Sequence, residues 1–160
     1  MGERYQMPRY AIRTDDLTNA DVLALLDTHL AEMHRWSPEC KVHAMPAERL
    51  RADDITFYSA WDGERLAAVG ALKELGDGRA EIKSMRASPG YRGKGAARAI
   101  LDFLIAEAQA RKMRWLGLET GNTLEFEPAH ALYARNGFTP CPPFGDYVSD
   151  DFSICMERYL

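Results

Sequence analysis

Three strand-forming runs separated only by tight turns limit the fold of this chain more than any other feature. Ile55 to Trp61 is rich in β-branched and aromatic residues, which suit a pleated, half-buried surface. Asp62-Gly63 marks a tight turn, and Arg65 to Leu75 follows it. Gly76-Asp77-Gly78 marks a second turn before Arg79 to Arg86. A parallel neighbour would need a crossover of about a dozen residues or more, so these runs form an antiparallel meander.

Helical patterns flank the meander. Tyr10 to Arg13 suits a short first strand. Thr18 then opens a helical pattern, with Asp21 three residues later beside the positive helix end. Val22, Leu25, Leu26, Leu30 and Met33 recur at helical spacing until Ser37-Pro38, where proline disfavours helix in the residue before it. Lys41 to Ala52 is less regular and has room for a second short helix. Past the meander, Ile100, Leu101, Leu104, Ile105 and Ala108 form the apolar stripe of a long helix, and Arg111 and Lys112 suit its negative end. Arg114 to Thr120 reads as a strand broken by Gly121. Pro128 opens a short helix through Arg135, and Gly137 closes it. Pro140 to Pro143 reads as a rigid loop, and Ser153 to Arg158 as a closing strand. The order predicts an α/β (α+β) fold, a mixed sheet with helices over it. No repeat or linker divides the chain, so residues 1–160 are expected to form a single domain.

Composition narrows the function classes. No apolar run approaches the roughly 20 residues of a membrane helix, and the N-terminus lacks the apolar stretch of a secretory signal. Cys40, Cys141 and Cys155 contain no CxxC pair. They read as reduced thiols of a cytoplasmic protein rather than as a zinc site or disulfide framework. The net charge is -4 and no long basic face is visible, which argues against nucleic-acid binding.

Against that acidic background, Ser84 to Arg98 holds Arg86, Arg92, Lys94 and Arg98 and no acidic residue. It surrounds a glycine-rich turn. A phosphate loop of the GK[ST] type fails, because Lys94 is followed by Gly95 and Ala96. The dinucleotide fingerprint fails as well, because Arg98 stands where a third small residue belongs. What fits is Arg-x-x-Gly-x-Ala at Arg92, Gly95 and Ala97, between a strand and a long helix. Small residues let backbone approach a ligand closely. A turn opening a helix presents unpaired N–H groups with the helix dipole behind them, an array suited to pyrophosphate.

On these residues the chain resembles the GCN5-related N-acetyltransferases (GNAT family), whose pyrophosphate loop follows Gln/Arg-x-x-Gly-x-Gly/Ala. "SPGYRGKGAA" matches that pattern, and "ALYARNGF", Ala131 to Phe138, looks like the family's Leu-Tyr-x-x-x-Gly-Phe segment. "HRWSPECKVHAM", "EIKSMR", "LETG" and "PFGDY" are similar to a bacterial subgroup. The resemblance implies a mostly antiparallel sheet with one splayed parallel strand pair, and transfer of acetyl from acetyl-CoA to a primary amine. It implies no metal, and small-molecule amines come before protein acceptors. A CoA-binding sensor without turnover stays open, as does a homodimer.

The resemblance also assigns sites. Arg92, Gly93, Lys94, Gly95, Ala96 and Ala97 would hold the pyrophosphate, and Met85, Arg86 and Ala87 the pantetheine arm. Tyr133 matches the family tyrosine that protonates the leaving sulfur and touches the cofactor; a phenol donates while neutral at pH 7. Glu81 is the first candidate base. Strand alternation puts Glu81, Lys83 and Met85 on one face and Ile82 and Ser84 on the other. If the first face lines the cleft, Lys83 is placed to hold an acidic group of the substrate. Glu119 on the adjacent strand is a second carboxylate. His34 and His43 flank Ser37-Pro38, where the resemblance places the acceptor wall. Trp36, Phe144 and Tyr147 are candidate apolar walls, and Asp146, Asp150 and Asp151 a solvated loop.

Overall fold

A computed structural model describes residues 9–38, 45–148 and 151–160. The strands are β1 (Ala11–Thr14), β2 (Ile55–Asp62), β3 (Arg65–Gly76), β4 (Arg79–Ala87), β5 (Trp115–Gly121), β6 (Thr139–Cys141) and β7 (Ser153–Tyr159). The helices are α1 (Ala20–Trp36), α2 (Ala47–Leu50), α3 (Ala96–Ala110) and α4 (Glu127–Arg135). The strands form one seven-stranded sheet in the order β1-β2-β3-β4-β5-β7-β6. Among the described residues, only the β4–β5 pair is parallel.

The meander folds as its turns dictate. α3 buries Ile100, Leu101, Leu104 and Ala108 against one sheet face, where Tyr58, Leu72, Ile82 and Leu116 also lie. α1 and α2 cover the other face with Val22, Leu25, Leu26 and Leu50 over Phe57, Val69 and Ala71. Helices therefore cover both faces of the sheet over β2 to β4.

Several boundaries differ from expectation for local reasons. The first helix starts at Ala20, because Asn19 caps it with its side-chain oxygen on the N–H groups of Asp21 and Val22. Thr18 is occupied instead with Asp16, donating its hydroxyl at 2.6 Å. In the expected helix between Lys41 and Ala52, only Ala47–Leu50 is helical among the described residues. Gly121 ends β5 rather than breaking it, and its lack of a side chain is a packing requirement. A Cβ there would sit 2.5 Å from the Phe126 ring and 2.7 Å from that of Phe152. Pro140 lies in β6, an edge strand, where a missing N–H costs no ladder bond.

The most consequential departure is a bulge in β4. The register runs from Val69↔Arg86 to Ala71↔Lys83, so Gly70 faces both Ser84 and Met85. Ser84 takes φ +55, a conformation uncommon outside glycine. Beyond it the alternation reverses. Met85 therefore leaves the face of Glu81 and Lys83 and packs with the α3 cluster, correcting the expected common face. A Cβ on Gly70 would lie 3.2 Å from Met85, Ile100 and Leu104, so glycine there lets strand and helix close over the bulge.

Candidate active site

An opening lies between β4 and β5. Their pairing stops after Arg79↔Trp115, Ala80↔Leu116 and Glu81↔Gly117. Beyond Glu81 the strands part, and the gap continues into a cavity of about 580 Å³. β4 from Glu81 to Ala87 lines one side and β5 from Leu118 to Gly121 the other, while α1 and α4 close the ends.

The glycine-rich turn borders this cavity through Arg92, Gly93 and Ala97. Gly93 and Gly95 adopt φ +72 and +80, a left-handed region that glycine enters without strain. Gly95 stands at the N-cap of α3, no side chain among the described residues caps that helix, and its first turn holds no acidic residue. Its N–H groups and dipole are left for an anion. Two tyrosines brace the turn. Tyr10 donates its hydroxyl to the Lys94 carbonyl at 2.7 Å, and Tyr91 donates to Asp62 at 2.7 Å. Arg92 and Lys94 are exposed beside it, and Ala96 is fully buried, so a small residue is required there. These features fit a pyrophosphate.

Tyr133 is buried on α4, packed edge-on against Phe138 at 5.9 Å, and lines the cavity. Burial first, and the nearby Glu119 carboxylate second, push its phenol up to about 12. Glu119 lines the same cavity from β5.

Glu81, 4% exposed, accepts a hydrogen bond from the Tyr147 hydroxyl at 2.5 Å and pairs with Lys83 at 3.2 Å. Lys83 also donates to the Tyr147 hydroxyl at 3.1 Å. Burial and the Glu81 carboxylate raise the Tyr147 phenol well above its ordinary range. Tyr147 is thus a polar partner of the candidate base, beyond the apolar wall expected of it. Trp36 lines the cavity, whereas Phe144 packs edge-on to Trp115 at 5.0 Å in a separate cluster with Cys155.

α1 contributes residues that the sequence reading passed over. Glu32 pairs with the buried Arg86, and Arg92 reaches the same carboxylate oxygen at 3.7 Å. The Arg86 guanidinium lies 5.7 Å from the Trp36 ring. Its side chain therefore turns toward α1, while its main chain stays on β4. His29 sits beside this pair, buried and lining the cavity. It extends the stripe Val22, Leu25, Leu26 by the next helical step, a signal present in the sequence. His34 is exposed and stands outside the cavity, and His43 lies outside the described residues.

Burial, and secondarily the Arg86 charge, lower the His29 imidazole from 6.5 to about 4, with Glu32 opposing. As pH falls below 6.5, the unfolded chain takes up a proton that folded His29 refuses until about 4. Stability is therefore complete above that window and is lost through it, by about 3 kcal/mol in all. His29→Gln is expected to flatten the slope of unfolding free energy between pH 6.5 and 4 in urea titrations. An unchanged slope would show that His29 is not held neutral.

A helix-covered mixed sheet that parts beside an anion-binding turn is the architecture of acyl-CoA N-acyltransferases. Accordingly, the profile of the Acetyltransferase (GNAT) family matches residues 22–138, and the chain belongs to that family. It is 46% identical over 149 residues to the uncharacterized N-acetyltransferase YsnE of Bacillus subtilis, covering 93% of this chain and 99% of that protein. It is 44% identical to the uncharacterized N-acetyltransferase YedL of Escherichia coli, covering 94% and 95%. A solved structure from Klebsiella pneumoniae with this fold superposes with a TM-score of 0.73 at 27% identity, covering 94% of this chain and 97% of that one. The protein is an N-acetyltransferase of a fold that binds acetyl-CoA. Among the described residues, no helix is long and apolar enough to cross a membrane.

Proposed function

We propose that the protein transfers the acetyl group of acetyl-CoA to the primary amine of a small molecule, by direct attack of the amine within one domain. One observation carries this reading: Glu81, Tyr133 and the glycine-rich turn all border the same cavity between the parted strands. Arg92 and Lys94, with the main chain from Gly93 to Ala97, bind the pyrophosphate. Main-chain groups of Met85, Arg86 and Ala87 pair with the pantetheine arm, and an N–H in that stretch takes the charge of the oxyanion. Glu81 accepts the proton of the incoming amine, directly or through water. Tyr133 donates its proton to the leaving sulfur. A volume of about 580 Å³ falls in the range of about 300–1,000 Å³ common for small-molecule sites.

CoA-thiol release with a panel of amines, amino acids and lysine peptides tests the assignment. Turnover is expected with small amines and not with peptides. Tight CoA binding without release from any acceptor would instead mark a sensor. Glu81→Gln should lower kcat/KM by about 100-fold while CoA affinity is kept. An unchanged kcat/KM would pass the base role to another group.

A further inference from the structure

We infer that the acceptor is an α-amino acid with an apolar side chain, its amine and carboxylate recognised together by Glu81 and Lys83. This rests on the acetyl-transfer reading above and narrows its substrate. The two side chains are 6% and 12% exposed, with their charged heads 3.2 Å apart. Buried charges are costly unless their hydrogen-bonding capacity is filled, and here neighbouring side chains fill only part of it, on residues that line the cavity. Both contacts of Glu81 fall on Oε2, one from the Tyr147 hydroxyl and one from Lys83. Oε1 has no hydrogen-bond partner among the described residues. An ammonium carries three N–H donors, and the polar partners of Lys83 are the Tyr147 hydroxyl and Glu81. One donor is left. The cavity therefore presents a spare anionic acceptor beside a spare cationic donor.

An α-amino acid offers the complement, an ammonium and a carboxylate joined through one carbon. Its carboxylate meets Lys83 and its ammonium meets Glu81. Glu81 takes one proton and passes it to solvent, leaving a neutral amine. The N–C bond forms first, giving the tetrahedral oxyanion, and its collapse breaks the C–S bond. Nitrogen loses its second proton to solvent, and solvent returns to Tyr133 the proton that it gives to sulfur. A diamine would instead bring a second cation against Lys83. The side chain then faces the aromatic wall of Trp36, Phe126 and Phe152, whose rings meet edge-on at 6.1 and 5.8 Å. A charged side chain there would be desolvated against aromatic rings.

The test compares CoA-thiol release for L-phenylalanine and L-leucine with that for their decarboxylated amines, phenethylamine and 3-methylbutylamine. Each amino acid is expected to exceed its amine by about 10- to 100-fold in kcat/KM, the effect of one hydrogen bond to a charged group. Lys83→Met should bring that ratio toward one by raising KM for the amino acid. The wild-type ratio stands even if the variant fails to fold. Equal or faster turnover of the amines overturns the amino-acid inference and leaves small-molecule acetylation intact. Release only with lysine peptides, or with no acceptor at all, overturns both.

Discussion

Gly95→Val should raise the KM for acetyl-CoA by about 100-fold or more while the protein stays folded, the loss of two or so main-chain hydrogen bonds to a charged group. The reason is conformational rather than steric. A Cβ at Gly95 would meet nothing within 4 Å, but the residue holds φ +80. Left-handed backbone costs an ordinary residue about 1–2 kcal/mol, and a β-branched one suffers most. The loop relieves that strain by leaving the conformation that aims its N–H groups at the ligand. Gly95→Asn is the control, since asparagine tolerates this region. It should keep most of the affinity in a calorimetric titration with CoA. Equal losses for Val and Asn would mean that volume, not backbone angle, governs the turn. Unchanged affinity in folded Gly95→Val would remove the pyrophosphate assignment.

That turn was legible in the sequence because its signal is local: small residues, basic neighbours, and a strand and helix on either side. The meander and the α3 stripe were legible for the same reason, since short turns and helical periodicity are read within a few residues. The bulge at Ser84 was not. Its requirement is met across the sheet by Gly70, and a serine gives no warning of φ +55. Because the bulge reverses alternation, it carried Met85 to the α3 side and turned the Arg86 side chain toward Glu32 on α1. The contact between Tyr147 and Glu81 joins residues 66 apart along the chain. No periodicity encodes it, and it depends on where the segment between β6 and β7 settles. His29 is an intermediate case. Its place on the α1 stripe was readable, but its neutrality depends on burial and on Arg86.

Tyr133→Phe should lower kcat by about 100-fold or more, the usual reach of a positioned general acid, with little change in CoA affinity. The ring stays packed on Phe138, so the fold has no cause to respond. The phenol is pushed up to about 12, so it keeps its proton throughout the neutral and mildly basic range and is in the donor form when a thiolate departs. The same displacement has a stability consequence of opposite sense to that of His29. A phenol raised from 10.0 to about 12 stabilises the fold fully below pH 10 and loses that contribution as pH climbs toward 12. Tyr133→Phe should therefore resist alkaline unfolding better than the native chain while turning over far more slowly. This pairing separates the acid role from mere packing. A core tyrosine would also lose its alkaline sensitivity on substitution, but it would leave kcat within about twofold, less than 1 kcal/mol in the barrier. That outcome would return the proton to water or to another donor in the cavity.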